Sequence, residues 1–552
     1  MVEAASRVVD SEEARAIVGD SVRRWTMRIA IALSTVFFLL ANCAGISNPG
    51  LEYDELLFVN GALGAPYHYQ GFIYHEAWGI PTMLMAYIGA LKAWLYYPIF
   101  TIFGVSVDSI RLPAVLAGTV VLLLAVRLIY RLFGSWAAAV VAVLLGTDPA
   151  YGALARTDWG PIVLSSLFRI AALLFYFAFL RQRSVRYLWL LSATLLLGLY
   201  NKLDYGWFIV AFVVAATVVH HRELWEIAHR RLVAVLSPIA IFAVLGVVAL
   251  FVLVLPAERV PLPGSHASLG DRISEVSRLF RGTFNGAAVY DNMTGSFLRH
   301  ATLIGWLIPY ILIASAIVAV WYLLRGRRRP SSDVLRNVAA TTTFFLILFV
   351  VMAVGIVLTR QATGAWHVML LWPLSAFLLV CLLMTATQIP IVRLSRAVVA
   401  TVLVAIIALT LTQVRTTAEY VDAYRSSRQW GPFWSTEIYA AARTISRAAP
   451  RVQSVITVDW GLGTQIFALG NEAVRDRFED PWPSFTSPAA TLAGLRHEWF
   501  DDRRVIVIFH AQPAQAEPDT TQRVEAILKS LGSRVRTVYA GKQIEAKEVT
   551  PG

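Results

Sequence analysis

Residues 27–55 read MRIAIALSTVFFLLANCAGISNPGLEYDE. The part 27–45 is an apolar run close to the ~20 residues that cross the hydrocarbon core of a bilayer. Arg23, Arg24 and Arg28 flank its start and no cleavage-site pattern follows, so it is expected to remain as an uncleaved signal anchor. Just beyond it stands Tyr53-Asp54-Glu55. Two adjacent carboxylates are costly to hold beside lipid unless something compensates them. Their place predicts an active site at the water–membrane boundary, on the face where the first loop emerges.

Apolar runs of the same kind recur along the chain. Of its 552 residues, 57% are hydrophobic and 15% charged, and the mean hydropathy is +0.60. A soluble protein of this length carries more charge. Runs at 27–45, 112–133, 135–152, 160–180, 187–200, 205–220, 232–255, 301–324, 338–358, 366–387 and 393–413 predict a polytopic α-helical membrane protein. The expected number of spans is about eleven, in a range of about ten to thirteen. Two runs are short, as tilted or re-entrant segments are. Residues 81–103 are apolar too, but Lys92, two prolines and their place in the first loop predict helices lying at the interface.

The net charge of +12 is unevenly spread. Residues 1–413 hold 31 Lys and Arg against 20 acids, whereas 414–552 hold 17 against 16. The excess belongs to the membrane part, where it sets orientation and meets anionic headgroups. No basic face on a soluble domain suggests nucleic acid. Cys43 and Cys381 lie in or beside separate spans without metal-type spacing, which argues against a disulfide or zinc site. Arginines cluster in alternate connections: Arg23 to Arg28, Arg127 and Arg131, Arg181 to Arg186, His221 to Arg231, Arg325 to Arg329, and Arg393 with Arg396. The positive-inside rule places these in the cytoplasm. The outer face then receives the first loop 46–111, the turns at Asp158, Lys202 and His367, the loop 256–300 and the C-terminal part. This predicts a cytoplasmic segment 1–26, a catalytic membrane domain 27–413 and an extracytoplasmic domain 414–552 in a multi-pass inner or plasma membrane protein.

Residues 414–552 read as a small α/β domain. Val455 to Val458, Val505 to Phe509 and Val535 to Tyr539 are expected strands, and Gly461 to Leu469 and Thr521 to Leu531 expected helices. Gly461-Leu462-Gly463 after a strand is a weak phosphate-loop signal, since a single GxG is usually a turn.

The outer connections concentrate ionisable groups: Asp54, Glu55, His68, His75, Glu76 and Arg111, then Asp148, Arg156 and Asp158, then Lys202 and Asp204, then Arg360 and His367. Asp158 precedes Gly160-Pro161, a helix-start signature that suits a carboxylate. Arg169, eleven residues on, projects to nearly the same side of that helix. It either faces a polar cavity or pairs with a buried polar group and ties helices together. The plainer readings are a loop-helix cap for Asp54, a snorkelling lysine for Lys202 and packing or hydrogen bonding for His75 and His367. The aromatic stretch Tyr67 to Phe72 could line a sugar or lipid groove or belong to an interfacial belt. No spacing supports a divalent cation. Asp54, Asp158, Lys202 and Arg360 share one predicted side, which suits group transfer from a membrane-held donor: a carboxylate base, cations for the departing phosphate, and grooves for a lipid carrier.

The acidic pair after the first span, Phe103-Gly104-Val105 and Arg111-Leu112-Pro113 opening the second, and a further Asp after the third follow a familiar order. That order resembles the GT-C glycosyltransferases, in particular family 39 with its aminoarabinose and protein O-mannosyl transferase relatives. Ala155-Arg156-Thr157-Asp158-Trp159-Gly160-Pro161 is similar to the R-x-D-W-G-P stretch of bacterial members. Gly198 to Asp204 resembles their Gly-Leu-x-x-x-Lys turn, and Gly89 to Leu95 their first-loop helix. The likeness covers residues 27–260, and later spans by topology alone.

This resemblance implies a GT-C fold, a polyprenyl-phosphate sugar donor and an inverting transfer on the outer face without bound metal or other cofactor. It makes Asp54 the catalytic carboxylate, Glu55 its support or an acceptor contact, and Asp158 the second acid. Lys202 and Arg360 become candidate phosphate contacts, and Arg111 fixes the first loop or the lipid phosphate. Many relatives carry Lys-Pro or His-Pro-Pro where this chain has Ile88-Gly89-Ala90. Lys92 and His75 are the possible substitutes. The acceptor, whether lipid, glycan or protein, is left open. A transporter or lipid flippase, and a receptor built on the C-terminal domain, are the competing readings.

Overall fold

The computed structural model describes residues 2–64, 75–230, 232–257, 268–326, 333–359, 364–426, 430–487, 489–511 and 518–551. Among these, nine helices are long and apolar enough to cross a membrane: Ser21–Cys43, Val107–Phe133, Ile162–Gln182, Tyr205–Ile227, Leu232–Val254, Ile304–Leu324, Asp333–Leu358, Ala365–Ala386 and Val392–Arg425. The run expected at 135–152 is not one straight span. Helices Ser135–Gly146 and Pro149–Thr157 meet at 62°. Pro149 has no N–H to continue the first helix, and Asp148 caps the second by accepting from the Ala150 and Tyr151 N–H groups at 3.0 and 3.1 Å. The run at 187–200 is the helix Arg186–Asn201. Its 16 residues reach about 24 Å, short of a bilayer core.

The first loop departs from expectation. Residues 81–103 are not all helical. His75–Ala77 (β1), Ile80–Met85 (β2) and Ile88–Gly89 (β3) make a small antiparallel sheet in the order β1-β2-β3. Only Leu91–Phe103 is helical, with Trp94, Leu95, Tyr97, Ile102 and Phe103 exposed along it. The sheet is docked on the turn before the span at Tyr205. Ile88 bridges Lys202, the Leu203 N–H donates to the Tyr87 carbonyl at 2.9 Å, and the Tyr200 hydroxyl donates to the Thr82 carbonyl at 2.7 Å. Gly89 permits this approach, because a Cβ there would lie 2.1 Å from the Tyr200 carbonyl oxygen.

The last span continues to Arg425, so the expected boundary at 413/414 falls inside a helix. Beyond it, Ser454–Thr457 (β4), Phe478–Glu479 (β5), Val505–His510 (β6), Val535–Ala540 (β7) and Ile544–Val549 (β8) form one sheet in the order β5-β4-β6-β8-β7. β4 runs parallel to β5 and β6, while β8 is antiparallel to β6 and β7. The expected strands and helices are present. The short β5 and the polar β8 (Ile-Glu-Ala-Lys-Glu-Val) carry too little apolar signal to have been expected. Gly463 is glycine because a Cβ there would sit 2.3 Å from Asp480 Oδ2, so the GxG serves packing.

This sheet is not an appended unit. One apolar core joins Leu57, Phe58, Leu84 and Ile88 of the first loop to Ile438, Val455, Leu462 and Ile506 beyond the last span. The first loop and the C-terminal sheet therefore occupy the same end of the bundle.

Candidate active site

The helix Tyr53–Ala62 carries Asp54 in its first turn. Glu52 caps it: its Oε2 accepts from the Asp54 N–H at 2.8 Å, and Glu55 Oε2 accepts from the Glu52 N–H. Two buried guanidinium groups fix the turn leading into this helix. Arg111 donates to the carbonyls of Ile46, Pro49 and Gly50 and grips both Glu55 oxygens at 2.6 and 2.8 Å. Arg156 donates to the carbonyls of Asn42, Ala44, Gly45 and Asn48 and lies 4.1 Å over the Tyr424 ring. A planar fork of five donors suits a cluster of carbonyls that no ammonium could satisfy. Glu55 and Arg111 are thus spent on one another, and both side chains are fully buried.

The three acids of this segment are separated by their surroundings. Burial, with Asp54 as the nearest like charge, pushes Glu52 well above the usual carboxylate range. Glu55 is ion-paired. Burial pushes the Asp54 carboxyl up to about 6, against the downward pull of Lys202 and of a hydrogen bond from Trp159. Asp54 alone of the three keeps a partly exposed residue surface. Its carboxyl is thereby brought closer to neutrality than an ordinary carboxylate.

The stretch Arg156 to Gly160 supplies the wall opposite. Asp158 ends the helix Pro149–Thr157 in the left-handed conformation, φ +46°. Its Oδ1 accepts from the Val163 N–H at 2.9 Å, which caps the span Ile162–Gln182 as its sequence position predicted. Its Oδ2 meets Lys92 Nζ at 2.6 Å, with both side chains 3% exposed. Lys92 also lies 4.3 Å from the Phe58 ring centroid. Trp159 packs on Trp366 at 4.3 Å and edge-on to Trp434 at 5.3 Å. Lys202 Nζ sits 3.1 Å from Asp204 Oδ2 and 3.4 Å from the Gly160 carbonyl. The Asp204 carboxylate has this charge partner but no hydrogen bond of good geometry. A small cleft beside it is lined by Gly160, Arg169, Lys202, Asp204 and Trp366.

The structure therefore sets Asp54 beside Lys202 and Trp159, and pairs Asp158 with Lys92, at the first-loop end of the bundle; of these four charged residues only Lys202 lines the cleft. Glu55 and Arg111 stand behind the helix as a structural pair. His75 stays in the hairpin, where its Nδ1 is 2.7 Å from Thr82 Oγ1, and is not among the residues lining the cleft. Arg169 does both things expected of it: it ties the span Ile162–Gln182 to the Met369 carbonyl and lines the cleft. Arg360, His68 and the stretch Tyr67 to Phe72 lie outside the described residues. Trp159, Trp366 and Asp204 were not anticipated as site residues, and neither was the part of Arg156 in holding the first loop. The only signals for them were an arginine and a tryptophan flanking Asp158 and an acid two residues after Lys202. Among the described residues, no three His, Cys, Asp or Glu side chains are grouped to hold a metal ion.

Residues 89–254 match the profile of the family described as dolichyl-phosphate-mannose-protein mannosyltransferase. No curated protein sequence matches the chain. The fold is similar to that of ArnT from Cupriavidus metallidurans. Its apo form matches with a TM-score of 0.53 at 14% identity over 97% of this chain and 100% of that one. Its form bound to undecaprenyl phosphate gives 0.50 at 12% over 95% and 99%. The Archaeoglobus fulgidus oligosaccharyltransferase tethered to an acceptor peptide gives 0.50 at 13% over 96% of this chain and 74% of that one.

Proposed function

We propose that this chain, which has the GT-C glycosyltransferase fold, is a multi-pass membrane enzyme that moves a sugar from a polyprenyl-phosphate donor to an acceptor on the outer face of the membrane. The observation that carries the reading is Asp54. Its carboxyl is held between Lys202 and Trp159, raised to about 6, at the end of the bundle where spans give way to loop helices. There Asp54 takes the proton from an acceptor hydroxyl or amine. The freed lone pair forms the bond to the anomeric carbon while the bond to the phosphate oxygen breaks on the opposite face, which inverts the configuration. The polyprenyl phosphate leaves with that electron pair, and Lys202 meets the charge it gains. Asp158, neutralised by Lys92, shapes the pocket and orients the Trp159 that touches Asp54. The undecaprenyl phosphate carried by ArnT is consistent with a lipid-phosphate donor.

The test is Asp54→Asn, which preserves shape and removes the base. In native membranes of a strain lacking the chromosomal copy, product formation should fall by about 10²- to 10⁴-fold, the usual worth of general-base catalysis. The protein should remain inserted in normal amount. Full product formation by the variant, followed by mass spectrometry of lipids, glycans and glycoproteins, overturns the assignment.

A further inference from the structure

In open α/β sheets the crevice outside the carboxyl ends of parallel strands, where the chain leaves to opposite sides, is the usual ligand site. Here β4 is flanked by β5 on one side and β6 on the other, so that crevice lies at Asp459-Trp460-Gly461 and His510. Its occupant is the chain's own catalytic helix. The Trp460 ring stacks on Tyr53, the residue before Asp54, at 4.8 Å and 25°. Phe433 stands edge-on to both Trp460 and His510.

The loop bearing Trp460 is fixed from below. Asp459 uses one oxygen to accept from the Trp460 N–H at 2.8 Å and the other to meet His510 Nδ1 at 2.7 Å. Asp459 and His510 are almost completely buried. Gly461, at φ +87°, then turns the chain into the helix Leu462–Leu469. From that helix Gln465 donates to the Leu51 carbonyl at 2.6 Å. Asn60 returns a hydrogen bond to the Thr464 carbonyl at 3.2 Å. Polar contacts thus grip the helix Tyr53–Ala62 before and within it, and the aromatic stack holds its first residue.

We infer that Trp460 is a positioning residue for the transfer reaction, holding Tyr53 so that the Asp54 carboxyl stays between Lys202 and Trp159, with the His510–Asp459 pair setting the Trp460 loop. The C-terminal domain would then act on catalysis through the Trp460–Tyr53 stack, added to the polar contacts and shared core, rather than by touching substrate. This rests on Asp54 being the base.

The experiment uses the full chain in native membranes of the deletion strain, which supply donor and acceptor, with product followed by mass spectrometry from pH 5 to 8.5. Trp460→Ala should slow transfer at pH 7.5 by about 10-fold or more, because small misplacements of reacting groups are costly. It should also move the acid limb of the rate profile below that of the native chain, since a loosened helix admits water to Asp54 and relieves its desolvation. Trp460→Phe, which keeps a stacking ring, should restore both rate and limb. If Trp460→Ala does not accumulate, Tyr53→Leu removes the stack from the other side and should show the same slowing and the same shift. A native rate and limb in whichever of the two accumulates overturns the inference. So does slow transfer with an unmoved limb that Trp460→Phe fails to rescue. Asp54→Asn runs in parallel. If it is inactive while Trp460→Ala behaves as the native chain, only the positioning role fails; if it is fully active, the catalytic reading fails first.

Discussion

Asp54 and Glu55 are adjacent acids whose surroundings assign them different work. Glu55 points back into the turn and is held by both arms of Arg111, while Asp54 points at Lys202 and Trp159. Lys202 lowers the Asp54 pKa and burial raises it more strongly. The sign of each effect gives a prediction. Transfer should weaken as pH falls through about 6, where Asp54 gains its proton. Lys202→Met removes the lowering charge, so the acid limb should move above about 6. The rate should also fall by roughly 10²-fold, comparable to losing one preorganised charge-stabilising group. A limb at the native position in this variant would show that Asp54 does not feel Lys202.

Elements bring these side chains together through contacts between segments far apart in the chain. The hairpin of the first loop carries Lys202 to the pocket through a backbone bridge at Ile88, and Gly89 keeps that approach open. In the C-terminal sheet, β4 and β5 hold a different device. Asp480 is buried, and desolvation pushes it up to about 8 although the Thr457 hydroxyl donates to it. A carboxyl whose folded value lies above its unfolded one stabilises the fold fully at low pH, and that contribution is lost as pH rises toward the folded value. The window here runs from the ordinary 3.8 to about 8. Asp480→Asn carries no ionisable proton and should flatten this dependence. Thermal unfolding in detergent at pH 6 and pH 9 should show the native chain losing stability at the higher pH by a few kcal/mol relative to the variant. Equal losses in both would place the Asp480 proton elsewhere.

For the whole molecule, the shared core of the first loop and the C-terminal sheet fixes their common side. The charge pattern predicts that this side is the outer one. In a Cys43→Ser background, Lys529→Cys on the exposed face of the helix Pro518–Leu531 should react with a membrane-impermeant maleimide in intact spheroplasts. Arg393→Cys, at the other end of the last span, should react only after permeabilisation. The opposite pattern would invert the topology. The same core bears on deletion: removing the C-terminal sheet would strip Leu57, Phe58 and Ile88 of their packing. Point variants therefore separate acceptor selection from folding where truncation does not.

Residue order by itself determined nine of the eleven expected spans and the strands β4, β6 and β7. Hydrophobic length, periodicity and charge clustering are local properties, legible wherever a run is long enough. The bent Ser135–Thr157 region was harder to read, because its apolar composition hides a break set by a single cap and a proline. Only the tertiary structure decided what surrounds each acid. Glu55 is neutralised by an arginine 56 residues away, and Leu51 is held by a glutamine 414 residues away. Pairing, desolvation and stacking depend on neighbours in space, and no window along the chain contains both partners.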